Sequence, residues 1–290
     1  MRNIIETIGN TPLVEISGFH NNPKVKILAK LEGNNPGGSV KDRAALNMIR
    51  SALERGEINK DSKLIEATSG NTGIALAMIA GIYGLDIELV MPTSSTRERT
   101  LTMKAYGAQV TLLDSIEECR DYAEEIAAQG KKFILNQFSN RDNYKAHIKT
   151  TAPEIWKDTD GNITHFVSAM GTTGTIMGCS IYLKGKDPNI QIIGCQPTEG
   201  SSIPGIRRWP TEYLPEIFDS ERVDRTIDVD QQHATEMARK LARQAGILVG
   251  MSSAGAFYAA LKIANEIEEG VIVFIVCDRG DRYLSSDLFG

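Results

Sequence analysis

The chain has 290 residues, 41% of them hydrophobic and 24% charged, long enough to bury the apolar cores of two modest domains. Its 32 Lys and Arg are spread among 37 Asp and Glu, for a formal charge of -5, which argues against a nucleic-acid footprint and for a small-molecule partner. No stretch is long and apolar enough to span a membrane, and no signal-peptide apolar region precedes the Gly9-Asn10-Thr11-Pro12 turn, so a cytoplasmic location is expected. Cys119, Cys179, Cys195 and Cys277 include no Cys-x-x-Cys pair and read as free thiols of a reducing compartment. His20, His147, His165 and His233 are too dispersed to predict a metal site.

In chain order, apolar runs predict strands at residues 25–30, 63–67, 87–91, 109–113, 133–135, 163–168, 190–195 and 271–277. Helical periodicity falls at 40–55, 72–83, 96–106, 116–129, 176–183, 234–245 and 256–268. The alternation is an α/β pattern, with mainly parallel sheets covered by helices on both faces. In such sheets ligands sit beyond the carboxyl ends of the strands, where loops enter helices.

Four of those junctions carry chemistry. The first, residues 33–43, reads Gly-Asn-Asn-Pro-Gly-Gly-Ser-Val-Lys-Asp-Arg, and Ser39 is a good N-cap. Lys41 then falls in a first helical turn, where the helix dipole and partial desolvation both lower an ammonium pKa. A readily deprotonated lysine suits a Schiff base with an aldehyde such as pyridoxal phosphate. An ordinary exposed lysine beside Asp42 is the other reading of the same spacing. The second junction, Thr68-Ser69-Gly70-Asn71-Thr72-Gly73, gathers hydroxyls and peptide N–H groups at a helix start, as a carboxylate site would; a plain capped turn has the same composition. The third, Gly171-Thr172-Thr173-Gly174-Thr175, suits a phosphate. It lacks the Walker lysine and the Gly-x-Gly-x-x-Gly spacing, so a cofactor smaller than a nucleotide is expected. The fourth, Met251-Ser252-Ser253-Ala254-Gly255, offers a serine to a ring nitrogen or is simply a cap.

Taken in order along nearly the whole chain, the four segments resemble the cysteine synthase family. Residues 199–209 and 277–283 (Cys-Asp-Arg-Gly-Asp-Arg-Tyr) are similar to its B branch, the O-acetylserine sulfhydrylases B. The resemblance implies pyridoxal phosphate fold type II, like the tryptophan synthase β-subunit. A smaller domain would span residues 32–140 and a larger one residues 1–31 and 141–290, with the protein a homodimer. It implies Lys41 as cofactor attachment and proton shuttle, Gly171, Thr172, Thr173, Gly174 and Thr175 around the cofactor phosphate, Asn71 on the ring 3-oxygen and Ser252 at the pyridine nitrogen. Thr68, Ser69, Asn71, Thr72 and Gln137 would hold the substrate carboxylate. The implied reaction replaces the acetate of O-acetylserine by sulfide or thiosulfate, with Arg207 and Arg208 beside Trp209 as a cationic entrance for the dianion. Cystathionine β-synthase, a serine dehydratase or a catalytically silent binding protein would share much of this pattern.

Overall fold

A computed structural model describes residues 3–68 and 70–290. The described residues form two sheets. The larger contains β1 (Leu13–Glu15), β2 (Val25–Leu31), β7 (His165–Ala169), β8 (Gln191–Pro197), β9 (Arg225–Val229) and β10 (Gly270–Val276) in the order β1-β2-β10-β7-β8-β9. The smaller has β3 (Lys63–Ala67), β4 (Asp86–Pro92), β5 (Gln109–Leu113) and β6 (Phe133–Ile134) in the order β5-β4-β3-β6. All ladders are parallel except β1 with β2. The amino-terminal β2 pairs with the carboxy-terminal β10, Val25 opposite Gly270, so the chain closes the large sheet with both its ends.

The helices are α1 (Lys41–Glu54), α2 (Asn71–Tyr83), α3 (Arg97–Ala105), α4 (Ile116–Ala128), α5 (Arg141–Lys149), α6 (Thr151–Asp158), α7 (Gly174–Lys186), α8 (Gln231–Lys240) and α9 (Met251–Ala264). Helix α2 buries every residue from Thr72 to Ala80, as a helix apolar on all sides must. Helix α9 starts five residues before the predicted 256, because Met251 to Gly255 are small or apolar and pack as helix in the core of the larger sheet. Beyond α8 a π-turn over Leu241–Ala245 ends at Gly246 in the left-handed conformation (φ 69°).

Four elements were not predicted. β1 has three residues, and β9 is an edge strand in which only Ile227 and Val229 face inward. Helices α5 and α6 are short and polar, and Pro153 sits in α6's first turn, where its missing N–H costs no helical bond.

A buried ionic cluster fastens α1 to the larger sheet. Arg43 forks onto both oxygens of Glu32 (2.7 and 2.8 Å) and both of Glu154 (2.6 and 2.7 Å). Lys30 reaches Glu154 and Asp158, each at 3.0 Å. Lys41 stands two residues before this anchor.

Candidate active site

The four junctions meet in one cleft at the carboxyl ends of both sheets. Lys41, the first residue of α1, lines it. Ser39 accepts the Lys41 N–H at 3.2 Å, while Val40 occupies the cap position itself, one residue later than expected. Desolvation lowers the Lys41 ammonium pKa, against the opposing pull of Cys277 and Asp278. The Cys277 thiol lines the same cleft and is pushed up to about 11 by burial.

The Asn71 side chain is held from both ends by the segment after β10. Its Nδ2 donates to Asp278 Oδ2 at 2.7 Å, and its Oδ1 accepts from Arg282. Thr72 donates to Gln137 Oε1, and Gln137 Nε2 donates to the Ala67 carbonyl, both at 2.7 Å. Buried Glu66 accepts the N–H groups of Asn136 and Gln137 at 2.9 Å each, which fixes the turn presenting Gln137; burial still pushes its carboxyl up to about 7. Thr68 faces the loop rather than the cleft, where its hydroxyl accepts from Gly70 and Gly73 at 3.0 Å. Ser69 lies outside the described residues.

Opposite, Gly171, Thr172 and Thr175 line the cleft just before and within the first turn of α7, so the N-terminus of a thirteen-residue helix opens onto it. Thr173 adopts φ +67°, and its buried hydroxyl has no hydrogen-bond partner among the described residues. The glycines leave no slack. A Cβ on Gly171 would come 2.8 Å from the Gly205 carbonyl, and one on Gly174 would come 2.1 Å from Asn143 Oδ1. Ser252, in the first turn of α9, is buried at the cleft wall. A helix N-terminus opening onto the cleft, with tight glycines and the orphaned Thr173 hydroxyl in its loop, and a desolvated lysine in the same cleft fit pyridoxal phosphate.

The two arginines part company. Arg207 lines the cleft, donates to the Ile206 carbonyl at 3.0 Å, and has its pKa lowered by burial. Arg208 is not brought there: it pairs with Asp228 at 2.6 Å and donates to the Pro197 carbonyl. Several residues around the site were given no role by the sequence. Asp278, Arg282 and Tyr283 belong to the 277–283 segment that carries the family resemblance, and they follow β10, where the strand-end rule could have assigned them to the site. Asn143 and His147 lie on an unpredicted helix; His147 bridges Thr151 (2.8 Å) and Thr175 (3.3 Å), and burial keeps its imidazole neutral. Among the described residues there is no cluster of metal-ligand type, and no helix is long and apolar enough to cross a membrane.

Two largely parallel sheets, with a desolvated lysine at a helix start in the cleft at their carboxyl ends, point to the class. Residues 4–278 match the family of pyridoxal-phosphate dependent enzymes, and the chain belongs to that family. Within it, the chain is 54% identical over 289 residues to cysteine synthase B of Pseudomonas aeruginosa, covering 99% of this chain and 97% of that protein. It is 53% identical to cysteine synthase B of Escherichia coli K12 over 100% of this chain and 97% of the relative. Among solved structures, the O-acetylserine dependent cystathionine β-synthase of Helicobacter pylori superposes with a TM-score of 0.94 at 35% identity, covering 100% of this chain and 99% of that one.

Proposed function

We propose that this enzyme makes L-cysteine by β-replacement, exchanging the acetate of O-acetyl-L-serine for a sulfur nucleophile, sulfide or thiosulfate. The observation that carries the reading is likeness to cysteine synthases B over essentially the full chain, with Lys41 lining the cleft. Pyridoxal phosphate, when bound, supplies an electron sink that acidifies the substrate Cα–H and lets the β-substituent leave.

The protein's own residues do the rest. Lys41 anchors the cofactor, then as a free amine takes the Cα proton and returns it after sulfur has added at Cβ. Gly171 to Thr175 hold the phosphate at the start of α7. Ser252 faces the ring nitrogen as a neutral group, which stabilises ring protonation less than a carboxylate would. Asn71 uses one Nδ2 hydrogen on Asp278 and keeps the second for the ring 3-oxygen. Thr72 and Gln137, with Asn71 and Ser69, take the substrate carboxylate, and Thr68 holds their loop in shape. Arg207, without Arg208, supplies the cationic wall for the sulfur donor. Residues 32–140 act as a smaller domain that closes on substrate and excludes water. The four free cysteines agree with work in the cytoplasm, and the family resemblance supports a homodimer.

Substrate addition tests this reading. In the yellow holoenzyme, O-acetylserine should change the visible spectrum and release acetate, and sulfide or thiosulfate should restore the spectrum with formation of cysteine or S-sulfocysteine. Turnover only with homocysteine as the thiol nucleophile, giving cystathionine and acetate, would favour the cystathionine-forming reading that the H. pylori neighbour suggests. A colourless protein that the cofactor cannot reconstitute would overturn both. Gly174→Ala tests the cradle separately. The buried Asn143 amide that its Cβ would strike is tied to the Gln137 carbonyl (2.7 Å) and Thr172 (3.2 Å), so it cannot yield freely. Cofactor affinity should fall by about tenfold or more in a spectral titration. Unchanged affinity would move the phosphate elsewhere.

A further inference from the structure

Arg120, on α4 beside the smaller sheet, reaches into a cage of aromatic rings from other segments. Its guanidinium carbon lies 4.4 Å from the centroid of Phe138, 5.2 Å from that of Tyr213 and 5.6 Å from that of Trp209. Its Nη1 donates to the Tyr213 carbonyl at 2.9 Å. Two of the rings, Trp209 and Phe138, are themselves tied to the cleft. Trp209 donates from Nε1 to the Gly171 carbonyl at 2.7 Å, at the opening of the phosphate loop. Phe138 meets Trp209 edge to face, 5.5 Å between centroids and 82° between planes, and directly follows Gln137. Phe138, Trp209 and Arg207 all line the cleft, as does Ile116 at the start of α4.

We propose that Arg120 is a positioning residue that fixes the cleft wall met by the second substrate, by stacking the segment carrying Arg207 and Trp209 onto α4. A planar cation is needed for this task. Guanidinium can lie over several π-faces and still donate in its own plane, whereas a compact ammonium cannot do both. The 207–213 segment contains no α-helix or β-strand to hold it; Arg120 supplies a stiff contact from the facing sheet. The effect should therefore fall on the nucleophile's step more than on binding of the amino-acid substrate, whose carboxylate partners Thr72 and Gln137 are hydrogen-bonded through Ala67 and Glu66, with Arg120 reaching that turn only by its stacking on Phe138 and its charge near Glu66.

This proposal rests on the β-replacement reading for its kinetic arm but not for its structural one. The structural arm uses the holoenzyme with Trp156→Phe, which leaves Trp209 as the sole tryptophan emitter. Arg120→Gln should move Trp209 emission to the red and increase its quenching by acrylamide at least about twofold, with Arg120→Lys giving only partial rescue. The kinetic arm follows the two half-reactions by rapid mixing. Arg120→Gln should slow the half-reaction with the sulfur donor about tenfold and change the half-reaction with O-acetylserine less than about twofold. Unchanged Trp209 emission and quenching, equal slowing of both halves, or full rescue by lysine would each overturn the proposal. If the parent enzyme shows no half-reaction at all, the functional reading fails, and the Trp209 measurement still decides the contact.

Discussion

Lys41→Ala is expected to reduce turnover by about 10³- to 10⁵-fold while leaving a folded protein, because the residue both anchors the cofactor and moves the Cα proton. A loss below about tenfold would sink its role and bring forward the reading of the chain as a binding protein. The same variant has a signature in the cofactor-free protein. Burial lowers the Lys41 pKa from 10.5, so between its folded and unfolded values the native chain binds fewer protons than the unfolded chain. Stability from this group therefore rises with pH across that window and levels off above 10.5. The direction is opposite to that of a lysine held by a carboxylate. Thermal melts of parent and Lys41→Ala should show the parent gaining on the variant as pH climbs from 7 towards 10.5. A parallel pair of curves would mean that Lys41 is as well solvated folded as unfolded.

What could be read in the sequence has a local cause. Small and hydroxyl residues stand where a buried strand hands over to a helix, and so the Asn71, Gly171 and Ser252 loops were visible from composition and the sheet's strand-end rule. Lys41 was visible for the same reason, although its shift comes from burial, and the groups that oppose that shift, Cys277 and Asp278, arrive more than 200 residues later. Side chains that act by reaching another segment gave no local signal. Arg120 reads as one more charge on an amphipathic α4, yet its partner carbonyl is 93 residues away. Arg207 and Arg208 look equivalent in sequence. Backbone direction at the edge of the large sheet sends one into the cleft and the other to Asp228. Helix α5 escaped because its polar residues are used inward, as with Asn143 and His147, which inverts the pattern that periodicity detects, and α6 escaped because eight residues are too few to show a period.

Arg43→Met should be the most damaging change to stability away from the cleft. It leaves Glu32, which is 0% exposed, and the half-buried Glu154 without the guanidinium that faces both. Removing one partner from a buried charge cluster costs about 3–5 kcal/mol, because the remaining carboxylates keep their desolvation penalty. For a chain of this size, that lowers the melting temperature by about 10 °C. The acid limb gives an independent reading. Arg43 and Lys30 hold the Glu154 carboxyl down at about 2 against an ordinary 4.5, so its stabilising contribution is complete above 4.5 and is lost as pH falls towards 2. The variant should lose most of that contribution. Between pH 5 and 3 its melting temperature should then fall less steeply than the parent's. A variant that melts within about 2 °C of the parent at pH 7 would show that water replaces the guanidinium without cost. If the loss occurs, the ionic cluster, and not the helix alone, is what holds the first turn of α1, and with it Lys41, against the larger sheet.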